Sequence, residues 1–178
     1  LKTINRILNA KIIGNLKVEL EMGKPLFSFK DIPLSKSINP ADVTLDINNE
    51  TFAGGFCVNI GNPHIIFFVK NCFKFDLKII GPKIENHNLF PEKTNVTFAE
   101  VVNENNITVN VWERGAGLTK ACGTAACASA VAALKKNLVN NKVNIKFSEG
   151  TLDIEIDKND NIFMAGSVSE IKKINLKL

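Results

Sequence analysis

The alternation of apolar and polar residues predicts that β-strands make up most of this chain of 178 residues. Residues 17–22 read Lys-Val-Glu-Leu-Glu-Met, which places the apolar side chains on one face of a strand before Gly23 ends it. Comparable apolar runs bounded by turn residues predict further strands at 51–60, 65–69, 96–102, 107–112, 152–156 and 162–168. The segments 103–106 and 158–161 are expected to form hairpin loops, whereas 32–50 is expected to be mixed and rich in turns.

Two segments depart from this pattern and predict helices. A short helix is expected at 75–86, interrupted near Gly81 and Pro82. Residues 124–136 are dense in alanine, the strongest helix former, and are small and apolar on nearly every side up to Lys135. A helix of that kind is usually buried on all sides. The chain is therefore expected to have an α+β fold, in which a mostly antiparallel sheet wraps around a central Ala-rich helix.

Composition argues against several classes of function. The net charge of +4 is mild and the lysines are scattered, so no nucleic-acid partner is expected. No apolar run reaches the ~18 residues that a membrane-spanning helix needs, so no membrane partner is expected. The four cysteines form no Cys-x-x-Cys pair, and with only two histidines they fit neither a zinc site nor a disulfide framework. We therefore expect reduced thiols in a cytoplasmic protein, without a bound metal.

Cys122 is the candidate for chemistry because it immediately precedes the Ala-rich helix. The free amides of a first helical turn favour negative charge, so the position predicts a lowered pKa and a reactive thiolate. The same amides could hold a substrate carboxylate. Position alone leaves open whether Cys122 is a catalyst or a small buried apolar residue. Cys57, Cys72 and Cys127 fit the second interpretation.

Two further segments combine with Cys122 into a recognisable signature. The segments are Glu-Arg-Gly-Ala-Gly at 113–117 and Gly-Asn-Pro-His at 61–64, each of which alone could be only a connection or a turn. Together with Ala-Cys-Gly-Thr at 121–124 and Ala-Cys at 126–127, they resemble the diaminopimelate epimerase family. A weaker third match is Met-Gly-Lys-Pro at 22–25. Order and spacing agree over nearly the whole chain.

The resemblance implies an isomerase that interconverts L,L- and meso-diaminopimelate, on the route to lysine and peptidoglycan, without pyridoxal phosphate, metal or other cofactor. One thiolate removes the α-proton and a second thiol protonates the opposite face, because one group cannot serve both faces quickly. Carried over residue by residue, the catalytic residues are Cys122, His64 and Glu113, with His64 tuning the protonation of the thiols. The amides of Gly123 and Thr124 would bind the α-carboxylate. The distal amino and carboxylate groups would be held by Asn62, Asn95, Glu113 and Arg114.

The sequence departs from the family pattern at three places. Ala125 stands where the family usually has glycine, and Leu118 where it often has glutamate. The third departure is larger: the Cys-Gly-Asn-Gly motif that carries the other catalytic cysteine does not occur. We therefore expect 23–167 to be the C-terminal domain of the epimerase fold, 1–22 a remnant of the N-terminal domain and 168–178 a segment returning to it. The expected partners are the missing N-terminal half, the substrate diaminopimelate and a second copy in a homodimer, and this chain alone is expected to be inactive.

Three other interpretations remain open from the sequence. A proline-racemase-type isomerase shares the cysteine-glycine helix start but not the Glu-Arg-Gly-Ala-Gly segment, and substrate choice separates the two. A cysteine hydrolase that pairs Cys122 with His64 would accumulate an acyl-enzyme. A binding module that kept the fold and lost the chemistry would tolerate Cys122→Ser without loss of function.

Overall fold

The computed structural model describes residues 7–47 and 50–170, and in this part of the chain it contains two helices and eleven strands. The helices are α1, Leu77–Glu85, and α2, Gly123–Lys135. The strands are β1 Ala10–Gly14, β2 Lys17–Gly23, β3 Val43–Ile47, β4 Glu50–Asn59, β5 Pro63–Phe68, β6 Asn95–Asn103, β7 Asn106–Glu113, β8 Gly117–Thr119, β9 Lys142–Phe147, β10 Gly150–Ile156 and β11 Ile162–Ser167. Within the same residues, neither helix has the length and apolar character needed to cross a membrane.

The strands form one sheet in the order β1-β2-β11-β10-β9-β7-β6-β5-β4-β3, and β8 pairs with β7 beside this path. Most of the pairs are antiparallel, and β5–β6 and β7–β9 are parallel. The predicted α+β class with a mostly antiparallel sheet is therefore confirmed. Strands β1, β3, β8 and β9 were not predicted, and the remaining strands lie within a few residues of their predicted bounds.

Helix α2 is buried along its length, as its alanine content predicted. Every residue from Ala125 to Ala133 is buried, and the Ser129 hydroxyl donates to the Ala125 carbonyl at 2.8 Å. Small side chains let strands approach the helix closely, which favours enclosure by sheet. The strands that contact α2 are β4, β5, β6, β7, β9, β10 and β11.

The C-terminal end of α2 is closed by backbone hydrogen bonds. Leu138 N–H donates to the Ala133 carbonyl and Asn137 N–H donates to the Leu134 carbonyl, both at 2.9 Å. Asn137 has φ +57°, the left-handed conformation that ends many helices in this way. Cys122 lies at the opposite end of α2, directly before its first residue.

Helix α1 lies on the other face of the sheet from α2 and passes through Pro82 without the predicted interruption. Asp76 caps its start by accepting from the Lys78 amide at 3.0 Å. Leu77 and Ile84 are buried, and Gly81 lies so close to Trp112 that an added Cβ would be 2.5 Å from the ring. This packing outweighs the hydrogen bond that proline cannot make, so the prediction of a break at Gly81-Pro82 was wrong.

Strand β2, from the start of the described chain, lies next to β11, its last described strand, in the sheet. Strand β2 pairs antiparallel with β11, with Lys17 opposite Ser167 and Glu21 opposite Phe163. Residues 17–23 therefore share one sheet with the segment predicted to be the C-terminal domain. The predicted division at residue 22 stays a prediction, and residues 1–6 and 171–178 lie outside the described residues.

Candidate active site

Residues from three neighbouring strands meet at one end of the sheet. His64 in β5 is paired in register with Asn95 in β6. Because Val96 pairs with Trp112, Asn95 lies beside Glu113 at the end of β7. Side chains paired in register share a face of the sheet, so these three residues form a short polar row.

The polar row faces the start of α2. Asn95 and Glu113 have the same parity along their strands as Ala99 and Val111, which pack in the core around α2. Cys122 directly precedes that helix with an extended backbone at φ −147° and ψ 113°. The sheet and the helix thus bring the thiol to the same end of the fold as the row.

The Cys122 thiol is buried, and burial determines its protonation. Its Sγ atom lies 3.5 Å from the Thr124 hydroxyl oxygen, and its side chain belongs to the apolar core. Burial raises the pKa of Cys122 above the usual thiol value. The Thr124 hydroxyl and the Ala125 amide oppose this rise, and the Glu113 carboxylate adds to it. The prediction of a lowered pKa was wrong, because the loss of hydration outweighs the effect of the helix start.

His64 is a fully buried and uncharged imidazole. Its Nε2 atom lies 2.9 Å from the Asn62 side-chain oxygen, which joins two of the predicted site residues. Burial, with a smaller effect of the Arg114 charge, lowers the pKa of His64 from 6.5 to about 3. Among the described residues its Nδ1 atom has no hydrogen-bond partner. An imidazole whose pKa is lowered to about 3 is a weak general base, so the site does not favour the Cys122–His64 pair of a cysteine hydrolase.

Asn95 connects the polar row to the segment that follows β7. Its side-chain amide donates to the Pro63 carbonyl at 2.7 Å, and its side-chain oxygen accepts from the Arg114 amide at 2.9 Å. The Arg114 side chain donates from Nη1 to the Glu92 carbonyl at 2.9 Å. Asn95 is 2% exposed, so it fixes the neighbouring backbone from within the fold.

Residues 113–116 form a tight turn that presents Glu113 and Arg114. The Ala116 amide donates to the Glu113 carbonyl at 3.0 Å, and Gly115 has φ +76°. A positive φ at the third position of such a turn is the geometry that glycine supplies at little cost. The conformation of the turn therefore explains why position 115 is a glycine.

Glu85 was missed by the sequence analysis although it contacts this turn. The residue is buried, and its carboxylate accepts from the Gly115 amide at 3.0 Å and from the Trp112 indole N–H at 2.7 Å. A glutamate at the end of an amphipathic helix resembles a surface residue in sequence. Only the buried partners across the fold distinguish it.

The contacts connect most of the predicted site residues into one group. The Asn62 side chain contacts His64, and the Asn95 side chain accepts from the Arg114 amide. The charge of Arg114 lowers the pKa of His64, and the carboxylate of Glu113 raises the pKa of Cys122. Gly123 and Thr124 are in the first turn of α2, where amides have no acceptor within the helix. The group offers a thiol acid/base, helix amides for an anion and an arginine for a carboxylate. Within residues 7–47 and 50–170, no cluster of His, Cys, Asp or Glu could hold a metal ion.

Comparison with known proteins gives a consistent result. The sequence model of the family described as Diaminopimelate epimerase matches residues 56–171. The diaminopimelate epimerase of Pelagibacter ubique (strain HTCC1062) is 56% identical over 100% of this chain and 66% of its own length. The diaminopimelate epimerase of Wolbachia sp. subsp. Brugia malayi (strain TRS) is 42% identical over 92% of this chain and 62% of its own length. The chain thus spans about two thirds or less of these curated relatives.

Solved structures support the fold alone. A predicted epimerase from Pseudomonas aeruginosa superposes with a TM-score of 0.58 at 16% identity, covering 90% of this chain and 58% of its own. A probable proline racemase from Agrobacterium radiobacter K84 superposes with a TM-score of 0.60 at 11% identity, covering 90% of this chain and 54% of its own.

Proposed function

The chain belongs to the diaminopimelate epimerase family, and on this premise we propose that it supplies Cys122 as one of the two proton-transferring thiols of such an enzyme. The observation that carries the proposal is the placement of Cys122 at the start of α2 with Glu113 acting on its thiol. The substrate we propose is diaminopimelate, and the reaction is inversion at one α-carbon.

Cys122 acts first as the acid. Its pKa is raised above that of an ordinary thiol, so Sγ carries its proton at neutral pH. It gives this proton to the α-carbon after a base on the other face has removed the original one. In the reverse direction the Cys122 thiolate takes the proton, and the Thr124 hydroxyl and the Ala125 amide stabilise its charge.

The substrate is held at both of its ends. The amides of Gly123 and Thr124 bind the α-carboxylate at the positive end of the helix dipole. Arg114 binds the distal carboxylate, and Glu113, Asn62 and Asn95 complete the part of the pocket that receives the distal amino group. The neutral imidazole of His64 supports Asn62 through the 2.9 Å contact.

The chain alone does not epimerise. Inversion needs an acid/base on each face of the carbon, and the other cysteines, Cys57, Cys72 and Cys127, are fully buried in the core. The second thiol comes from residues outside this sequence, which complete the cleft around the substrate. We propose that the assembled enzyme is a homodimer in the cytoplasm, where thiols stay reduced.

The test compares the chain alone with the chain joined to the part of the Pelagibacter ubique relative that it does not cover. Exchange of the α-proton in D₂O and formation of meso-diaminopimelate are measured with L,L-diaminopimelate. We expect turnover only in the joined protein, and loss of turnover with Cys122→Ser. Full turnover by the chain alone, or retained turnover in Cys122→Ser, would overturn the proposal. Exchange of proline instead of diaminopimelate would indicate a proline-racemase-type isomerase.

A further inference from the structure

Burial at the end of α1 is unfavourable for the Glu85 carboxylate unless other groups compensate for its lost hydration. It is the last residue of α1, where the partial negative charge of the helix end disfavours a carboxylate. Its side chain is only 6% exposed, and its ion-pair partner Lys93 is 4.0 Å away and half exposed. A carboxylate removed from water in this way is retained only when other donors replace its hydration.

Two donors from two consecutive segments replace that hydration. Oε2 accepts from the Trp112 indole near the end of β7, and Oε1 accepts from the Gly115 amide in the turn that follows. The two oxygens therefore hold the last part of the strand and the turn in a fixed relation. Close packing of Gly81 against Trp112 brings α1 near enough for this contact.

The turn is fixed from both sides. The Asn95 side chain accepts from the Arg114 amide, and Glu85 accepts from the next amide, that of Gly115. Two buried side chains from two different elements thus hold consecutive peptide groups. Glu113, which starts the turn, is the residue whose carboxylate acts on Cys122.

We propose that Glu85 is a positioning residue of the active site, which fixes the turn 113–116 so that Glu113 stays against Cys122 and Arg114 faces the substrate. This inference rests on the proposed function for the role of the turn in binding substrate. The placement of Glu113 against the thiol is independent of it. Gln at this position has a single acceptor oxygen, so its amide N–H₂ must face one of the two donors, and the link between the end of β7 and the turn is broken at one of its two contacts.

The test measures the reactivity of Cys122 in the 178-residue chain. Iodoacetamide labelling is followed against pH, and the labelled peptide is quantified by mass spectrometry. The groups that act on the thiol are Glu113, the Thr124 hydroxyl and the Ala125 amide. Glu85→Gln is expected to move the labelling profile to lower pH and to raise the rate at pH 8 by about two- to fivefold, because Glu113 no longer stays near Sγ. Glu104→Gln, in an exposed loop, is the matched control and is expected to behave as the parent chain.

A double mutant shows whether Glu85 acts through Glu113. In a Glu113→Gln background, Glu85→Gln is expected to cause no further change in the labelling profile. An undiminished effect in that background, or an unchanged profile in a folded Glu85→Gln chain, would overturn the proposal. Trp112→Phe removes the indole N–H together with some packing against α1 but keeps the Gly115 contact of Glu85, and if it reproduced the whole effect, the proposal would be overturned because Glu85 would act only through the tryptophan.

The fold of each variant is checked independently. Trp112 is the sole tryptophan of the sequence, so its fluorescence reports directly on the contact with Glu85. We expect Glu85→Gln to change the emission while circular dichroism stays that of the parent. Glu85→Asp keeps a carboxylate on a shorter side chain, and its labelling profile and Trp112 emission are expected to fall between those of the parent chain and Glu85→Gln. Unfolding of both variants would assign Glu85 to stability and end the proposal. None of these measurements needs substrate, so failure of the joined enzyme to turn over would leave their outcome unaffected.

Discussion

The Nε2 atom of His64 lies 2.9 Å from the side-chain oxygen of Asn62, and this contact fixes the tautomer of a fully buried imidazole. An amide oxygen only accepts, so Nε2 carries the hydrogen and Nδ1 is left as an acceptor. The residue is therefore a fixed dipole beside Arg114 rather than a carrier of positive charge.

The first prediction is that His64 stays neutral well below physiological pH. Its pKa is lowered from 6.5 to about 3 by burial and by the charge of Arg114. An NMR titration should therefore show one imidazole that does not change between about pH 7.5 and pH 5, where an ordinary histidine would be mostly protonated. The chain has only two histidines, and His87→Asn assigns the signals. A His64 signal that titrates near pH 6.5 in the folded chain would contradict the assignment.

The same lowered pKa predicts the dependence of stability on pH. Between pH 3 and 6.5 the unfolded chain binds a proton that folded His64 does not, so the unfolding free energy falls as pH falls in this range. From pH 7.5 to pH 5 the loss from this residue is about 2 kcal/mol. Urea unfolding at the two pH values measures it. In His64→Gln this pH dependence should be absent, whatever the absolute stability of the variant.

A third prediction concerns Glu113 and the thiol. Burial raises the pKa of Cys122, and Glu113 raises it further, so Glu113→Gln should increase the thiolate fraction and speed labelling at pH 8 by roughly two- to tenfold. Burial also raises the pKa of Cys72 to about 11, so labelling at Cys72 should remain slow in every variant. Slower labelling of Cys122 in Glu113→Gln would show that the carboxylate acts as a base for the thiol instead.

Asn95 is predicted to contribute strongly to stability. Asn95→Ala removes the partners of the buried Pro63 carbonyl and of the partly buried Arg114 amide, and leaving them unpaired should cost about 1–3 kcal/mol in total. Asn140→Ala, which removes an exposed contact to Asn105, is the matched control and should change stability by less than about 0.5 kcal/mol. Equal losses in the two variants, measured by urea unfolding, would contradict the role of Asn95 within the fold.

Gly81→Ala separates helix propensity from packing. Alanine favours a helix by about 1 kcal/mol over glycine, so an open site would be stabilised. An added Cβ at Gly81 would lie 2.5 Å from the root of the Trp112 ring, which cannot move away like the tip of a flexible chain. We therefore expect a net loss of about 1–3 kcal/mol and altered Trp112 fluorescence. Lys78→Ala, at an exposed position of α1, should lack both effects.

The fold could be predicted from the sequence wherever a pattern was local. The alanine run of α2 predicted its burial, and its observed bounds agree within one residue. Strand β3 alternates between buried and exposed positions, but it lies in a segment so rich in turn residues that its alternation was not recognised. The break expected at Pro82 failed because Trp112, a partner distant in sequence, holds α1 together.

In the active site too, the features set by local sequence were predicted and those set by distant contacts were not. The family signature selected residues that the sheet register and the start of α2 bring to one end of the molecule. The predicted direction of the Cys122 pKa shift was wrong. The helix start can be recognised in the sequence, whereas the loss of hydration depends on packing from other strands. Glu85 was missed for a similar reason, since both of its partners lie more than twenty residues away.

The pairing of β2 with β11 has a consequence for synthesis on the ribosome. Lys17 can pair with its neighbour Ser167 only after β11 has been translated, so the hairpin β1–β2 emerges long before the strand that flanks it. Such distant pairing slows folding and prolongs the exposure of an unpaired strand in the nascent chain. The interval between emergence of the hairpin and completion of β11 is therefore when the nascent chain exposes an unpaired strand edge to wrong partners.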